Sequence, residues 1–384
     1  MGLLFLIVFI DLVGFGVVIP LLPYYALAYN ATPFEVTMMM ACYSLAQFVS
    51  SPLLGHLSDK VGRRPVILAS LACSVASYVW LGFASALWML FAARLLAGAG
   101  AGNIAAAQAY VTDVTPPAER AKGMGMIGAA FGLGFTIGPA LGGMVAGADP
   151  AQTHVAWPAF VAALLSAAAF ALAWFRLEES LIHKPSGALA ARLKVARQIP
   201  GRKLLRLLII LIFVTIAAFA GMETTFALWA HEGFGWGPLQ VGWVFFYVGV
   251  ILSVLQGGAI GALSRRFGEA NLVTAGAAVI ALGLISLPFC TVWWSVLAAS
   301  GLLAVGMALL SPAMNSLISQ QAAEDERGGV LGVSQSAQSL ARILGPALAG
   351  AVYTLVGRNG PYFVSALVMA GVVVLALQIP RGRA

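Results

Sequence analysis

Charge is scarce in this sequence. Only 9% of the 384 residues are Asp, Glu, Lys or Arg, while 61% are hydrophobic. Soluble domains carry about 25% charged residues, so an ordinary water-soluble pair of domains is excluded and the chain reads as a membrane protein. Cysteine is equally sparse. Cys42, Cys73 and Cys290 lie in or beside apolar runs without paired loop spacing, which argues against a disulfide framework and reads as packing. There is no GxxxxGK, no His or acid cluster with metal spacing and no readable Ser, His and Asp constellation. No metal, no cofactor and no enzymatic activity are therefore expected. The net charge of +7 does not point to nucleic acid, because the basic residues sit in short breaks between apolar runs, without interleaved aromatics. Met1 to Leu27 lacks the basic leader of a signal peptide, is too long an apolar run for one and carries Asp11, so it reads as a first span. Leu6 stands where a myristoylation signal needs Ser or Thr.

Long apolar runs are what the chain does have. A spanning helix needs about 20 apolar residues, and runs bounded by charge, Pro or Gly place spans near 3–26, 35–57, 66–84, 87–111, 123–146 and 157–175. A second set falls near 207–230, 239–263, 271–290, 293–319, 329–356 and 362–379. The expected fold is an all-α membrane protein of twelve transmembrane helices in two pseudo-symmetric six-helix bundles. The first bundle is expected over 1–175, a basic cytoplasmic linker over 176–206 and the second bundle over 207–384. Within the linker, Lys184, Arg192, Lys194 and Arg197 accompany Leu189 and Leu193 at helical spacing. This predicts a short surface helix anchored on lipid headgroups.

Orientation follows from the basic residues. With a cytoplasmic N-terminus, every Lys and Arg except Arg94, Arg342 and Arg358 falls in inner loops, the linker or the tail. Both termini are therefore expected inside a plasma (inner) membrane. An offset of 206 residues, then 207, also repeats the chain upon itself. Gly55, Ser58 and Gly62 map onto Gly261, Ser264 and Gly268; Glu119, Arg120 and Gly125 onto Glu326, Arg327 and Gly332; Gly138 and Pro139 onto Gly345 and Pro346. Halves with an even number of spans are related by an axis along the membrane normal, with a path between them.

The motifs carry a resemblance. GHLSDKVGRRP (Gly55 to Pro65), RLLAGAGAG (Arg94 to Gly102), FGLGFTIGPALGG (Phe131 to Gly143) and DLVGFGVVIPLLP (Asp11 to Pro23) resemble signatures of the major facilitator superfamily. Together they look like its drug:proton antiporter branch, which includes tetracycline exporters. By that resemblance, Asp59 and Arg63 help hold an outward-open state. The physics of the loop is independent of the name. Gly55 and Gly62 permit close approach and a tight turn, Asp59 sits near a helix N-terminus, and Arg63 and Arg64 can pair with acids or headgroups. Asp113 reads as a surface cap or a partner of that latch. In the second copy Arg265 replaces the aspartate. Gly138 and its neighbours allow close helix packing, and Pro139 permits a bend.

Ionisable residues within spans are costly and are candidates for function. Asp11 and Arg94 differ in depth by about 10 Å on the helical rise, a gap that an arginine arm or one water can span. Glu223 and Arg342 form a second candidate pair. Desolvation and a nearby cation act oppositely on a carboxylate, so a mobile pairing could couple protons, whereas a permanent pairing would be structural. His56 and His231 read as interfacial.

The cavity is less legible. Gln47, Asn103, Gln108, Gln256, Asn315, Gln335 and Gln338 either face it or hydrogen-bond between helices. Tyr43, Phe135, Met222, Phe226, Trp229, Trp243, Phe246 and Tyr247 could supply an aromatic lining or pack against lipid and neighbours. Tetracycline exporters carry an acid in the third span where Ser77 stands here, which argues against a metal-chelated tetracycline. The expectation is a monomeric, proton-coupled secondary transporter that exports a lipophilic or amphiphilic small molecule by alternating access. The alternative is a proton-coupled importer of a metabolite such as a sugar or organic acid.

Overall fold

A computed structural model describes residues 2–116, 119–148, 156–181, 198–323 and 326–381. Most of the linker, including Leu189 and Leu193, lies outside the described residues. Among the described residues twelve long helical runs follow one another, with a short 3-10 turn at Ile199–Gly201 before the seventh. They are α1 (Gly2–Leu27), α2 (Pro33–Val61), α3 (Arg63–Gly82), α4 (Leu87–Val114), α5 (Arg120–Ala146) and α6 (Ala156–Arg176). Then come α7 (Lys203–Phe234), α8 (Pro238–Phe267), α9 (Glu269–Phe289), α10 (Trp293–Gln320), α11 (Arg327–Val356) and α12 (Gly360–Ala376). Ten are long and apolar enough to cross a membrane. The others are α12, at 17 residues, and α2, whose middle carries Ser44, Gln47, Ser50, Ser51 and Pro52.

Helices suit this sequence because no water in a bilayer core can satisfy a free backbone group, whereas a helix satisfies each one internally. Their ends are set locally. Thr32 opens α2 with a reciprocal capping box: its Oγ1 accepts from the Glu35 backbone N–H at 3.3 Å, and its own N–H donates to the Glu35 carboxylate at 2.7 Å. The helices outrun the apolar stretches that announce them, because charged first and last turns are helical too. The island GHLSDKVGRRP is accordingly not a loop. Gly55–Val61 closes α2, Arg63 opens α3, and only Gly62 stands outside a helix, at φ 111°. Gly268 separates α8 from α9 in the same way, at φ 76°. Both positions need positive φ, which glycine adopts without steric cost.

The chain forms two compact units. One holds α1 to α6 together with 227–246; the other holds the remainder of α7 and α8 with α9 to α12. In the first, α1 packs on α5 and α6, α3 on α4 and α6, and α2 on α4; in the second, α9 packs on α10 and α12. The sequence repeat recurs in the packing. A Cβ added at Gly138 would stand 2.6 Å from the Gly16 Cα, and one at Gly16 would stand 2.9 Å from the Gly134 carbonyl. The second unit has a similar seam at Gly345, the counterpart of Gly138: a Cβ at Gly221 would meet the Gly345 carbonyl at 3.1 Å, and one at Gly345 the Ala217 backbone. In lipid, small residues bring helices together by letting backbones touch.

This seam can be tested against a glycine in open space on the same helix. Gly138→Val should cost about 1–3 kcal/mol through overpacking, read as a lowered midpoint in thermal unfolding of the purified protein. Gly128→Ala, where a Cβ meets nothing within 4 Å, should leave the midpoint unchanged or raise it.

Candidate functional site

The sharpest local irregularity lies in α4. Its helix ends at Gly100 and restarts at Asn103, with Ala101 at ψ 42° between the halves. The break frees Asn103 from the regular ladder. Its Oδ1 accepts from the Ile104 backbone N–H at 2.8 Å, which fixes the amide and aims Nδ2 at Asp11, to whose Oδ2 it donates at 2.5 Å. The Ser166 hydroxyl of α6 donates to Asp11 Oδ1 at 2.9 Å, and Ser74 of α3 adds another hydroxyl. Asp11 is 6% exposed. A buried carboxylate is thus surrounded by neutral donors drawn from three helices.

Arg94 occupies a separate setting. Its guanidinium lies 4.3 Å from the Tyr43 ring centroid and 5.7 Å from that of Phe15. It is buried, and its Nε has no hydrogen-bond partner among the described residues. Gly98, one turn along α4, explains the approach: a Cβ there would run into the Tyr43 carbonyl, so glycine lets α2 close on α4 and seats the tyrosine over the cation. Phe15 also meets Tyr43 at 5.1 Å and Phe135 at 5.7 Å between ring centroids. Gln47, one turn from Tyr43, is half-buried, while Gln108 is exposed.

Asp11 and Arg94, which their depth leaves within reach of each other, are thus held by different groups. Among the described residues no ion pair joins them. The carboxylate turns to α6 and the break in α4, and the guanidinium turns to the rings of α1 and α2. Buried Tyr78 of α3 lies within the electrostatic reach of both.

In the second unit Glu223 of α7 is half-buried and feels the charge of Arg342 on α11. Met222 and Phe226 are buried, and so is Gln338, whose Nε2 donates to Ser334 Oγ of its own helix at 3.4 Å. Asn315 is half-buried and Gln335 exposed; exposed Gln256 lies in a π-helical turn, Leu255–Ala259, within α8. Such turns break a helix's regular bonding and recur at functional sites. Trp243 and Phe246, in the part of α8 that belongs to the first unit, make an edge-on ring contact at 5.4 Å.

The latch residues converge on Arg63. Its Nη1 donates to Asp59 at 2.5 Å and to Ser58 Oγ at 3.1 Å, and its Nε to Asp113 at 2.9 Å. Glu179, just past α6, had no role assigned from sequence, yet it completes the cluster. Its carboxylate accepts the backbone N–H of Arg63 at 2.8 Å and of Arg64 at 3.2 Å, capping α3, and also takes the N–H groups of Ser180 and Leu181. The Glu178-Glu179 pair after the sixth span was the available signal. Arg64 Nη2 donates to the Trp174 carbonyl at 2.7 Å, and Gly55 is half-buried at the end of α2. The repeat exchanges the chemistry. Glu269 stands where Arg63 does and Gln320 where Asp113 does, and they hydrogen-bond at 3.2 Å with Ser316 alongside at 2.8 Å. A charged clamp in one half is a milder amide-carboxylate contact in the other.

At the opposite end of the first unit, Gly143 and Pro139 meet the start of α8. A Cβ at Gly143 would lie 2.7 Å from the Pro238 carbonyl, and one at Gly242 would strike that of Pro139. Leu239 N–H donates to the Gly147 carbonyl at 3.2 Å, and Tyr24 Oη to that of Trp236 at 3.0 Å. The glycine-proline stretch is thus a backbone contact surface within one continuous helix.

Comparison with known proteins agrees with this architecture. The family model described as Major Facilitator Superfamily matches residues 4–292 and 234–383. Tetracycline resistance protein, class C, of Escherichia coli is 31% identical over 352 residues, covering 90% of this chain and 87% of that one. Major facilitator superfamily domain-containing protein 10 of Bos taurus is 31% identical, covering 88% of this chain and 77% of its own. Among solved structures, the human organic anion transporter MFSD10 (TETRAN) superposes with a TM-score of 0.71 at 24% identity, covering 98% of both chains.

The cap formed by Glu179 is open to test. Glu179→Ala should destabilise the purified protein by about 1–2 kcal/mol, the range for a lost helix cap, whereas neighbouring Glu178→Ala should not. Equal shifts in thermal midpoint for the two would remove the capping role.

Proposed function

Since the chain belongs to the Major Facilitator Superfamily and is a multi-pass membrane transporter, we propose that it is a proton-coupled antiporter exporting a lipophilic or amphiphilic small molecule by alternating access. The observation that carries this reading is the setting of Asp11: a buried carboxylate whose hydrogen-bond partners, Asn103 and Ser166, are neutral. A proton can join or leave such a carboxylate without breaking an ion pair. The Ser166 hydroxyl can donate to the carboxylate or accept from the carboxylic acid, so both forms keep a partner, while Asn103 holds one oxygen in place. Intramembrane acids with this versatility are candidates for proton relays.

Glu223, with Arg342, is the second proton-coupling candidate. There a cation acts on the acid, so movement of α7 against α11 would change what the carboxylate holds. The Arg63 cluster and the Gly138 to Gly143 surface serve as gates at the two ends. Each combines contacts that can separate as units: ion pairs and a cap at one end, backbone contacts and a hydroxyl bond at the other. Support for export comes from likeness to tetracycline resistance proteins, and Ser77 in place of an acid argues for a cargo other than a metal-chelated tetracycline. The charge asymmetry supports a plasma-membrane orientation with both termini cytoplasmic, and we read the transporter as a monomer.

Asp11→Asn tests the carrier. Reconstituted in proteoliposomes, this variant should bind cargo yet lose cargo-driven proton movement. Undiminished proton movement would remove Asp11 from the role.

A further inference from the structure

Arg94 is a buried cation that forms no ion pair among the described residues. Its relative exposure is 3%, its Nε lacks a hydrogen-bond partner, and among the described residues no carboxylate forms an ion pair with it. The titratable groups whose charge bears on it are Tyr43, Tyr78 and Cys42, all neutral when protonated. The spanning acid of α1, Asp11, is engaged by Asn103 and Ser166. Ring faces attract a guanidinium, by about 2 kcal/mol when desolvated, but they carry no net charge and accept no directed N–H bond. An ion buried without compensation is among the costliest features a protein can hold. A cation retained at such a position on a spanning helix is a candidate for function.

The surroundings define what such a cation would hold. Phe15, Tyr43 and Phe135 form a continuous set of ring contacts beside the guanidinium, and all three are half-buried, unlike Arg94 itself. Gln47 lies on the Tyr43 side of α2 and is also half-buried, offering amide N–H groups one turn away. A planar fork of donors next to an aromatic slot suits a carboxylate or similar planar anion borne on a flat apolar body. It disfavours a cationic head, which would be repelled, and gives a neutral amide no comparable partner.

We infer that Arg94 anchors the head of an anionic aromatic cargo, with Phe15, Tyr43 and Phe135 holding its body. This deepens the transporter reading and rests on it, and it separates two tasks by residue: cargo charge on Arg94, proton on Asp11. Gly98 acts as a positioning residue, because it admits the Tyr43 backbone.

The probes are 2-naphthoate, 2-naphthamide and (2-naphthylmethyl)trimethylammonium, titrated by tryptophan fluorescence against the full-length protein in lipid nanodiscs. Naphthoate should bind at least about tenfold more tightly than naphthamide, as a charge-assisted pair predicts, and the ammonium more weakly than either. Arg94→Gln should erase the naphthoate advantage, while Arg94→Lys keeps part of it. Equal or tighter binding of the amide or the ammonium to wild type overturns the inference, as does a naphthoate advantage that survives Arg94→Gln. The wild-type comparison decides the matter even if Arg94→Gln fails to fold, and Tyr43→Leu then serves as second variant, expected to weaken all three ligands. The transporter reading is separable. If ethidium drives proton movement in proteoliposomes while naphthoate fails to bind, the anion inference falls alone. If naphthoate binds through Arg94 but neither compound moves protons, the proton coupling falls instead.

Discussion

Close contact between helix backbones is the constraint on which the other features depend. In lipid the hydrophobic effect does not press one apolar helix against another, so association relies on packing that small residues permit. Gly16 against Gly138 draws α1 onto α5, and Gly98 against Tyr43 draws α2 onto α4. The first contact belongs to the helix that carries Asp11 and Phe15. The second brings Tyr43 over Arg94. A larger residue at either seam would move the polar groups as well as the helices, so packing and site chemistry are one arrangement.

Within that arrangement Asp11 and Arg94, two buried charges of the first unit, have opposite characters. Asp11 is provided with neutral donors on both oxygens, a setting that tolerates gain or loss of a proton. Arg94 is provided with rings and lacks a directed acceptor for its Nε. A direct ion pair would have left each with one fixed partner and made neither available. The helix break at Ala101 and Gly102 keeps them apart, because it releases Asn103 to take the carboxylate.

Much of the fold was legible from sequence, and for a physical reason. Hydropathy reports membrane depth along a helix, so all twelve runs appear within a few residues of where the apolar stretches put them. The repeat is equally visible, down to Gly62 and Gly268, since positive φ at a helix junction demands the same residue twice. What sequence does not report is rotation about a helix axis. Depth alone left Asp11 and Arg94 within reach of each other, and only the rotation of α1 and α4 sends one toward Ser166 and the other toward Tyr43. Ser166 itself was hidden because a serine among alanines reads as packing. Glu179 was hidden because its partners are the backbone N–H groups of Arg63 and Arg64, which leave no pattern of side-chain types. Tyr43 and Phe135 were legible as aromatic residues, but their joining with Phe15 around a cation was not.

The account stands on Asp11 changing its protonation state inside a cage of neutral donors. Infrared difference spectroscopy of the reconstituted protein across a pH jump observes that event directly, through the C=O stretch of a carboxylic acid. A band present in wild type and missing in Asp11→Asn is the predicted result. Identical difference spectra for the two proteins in this region would contradict the account.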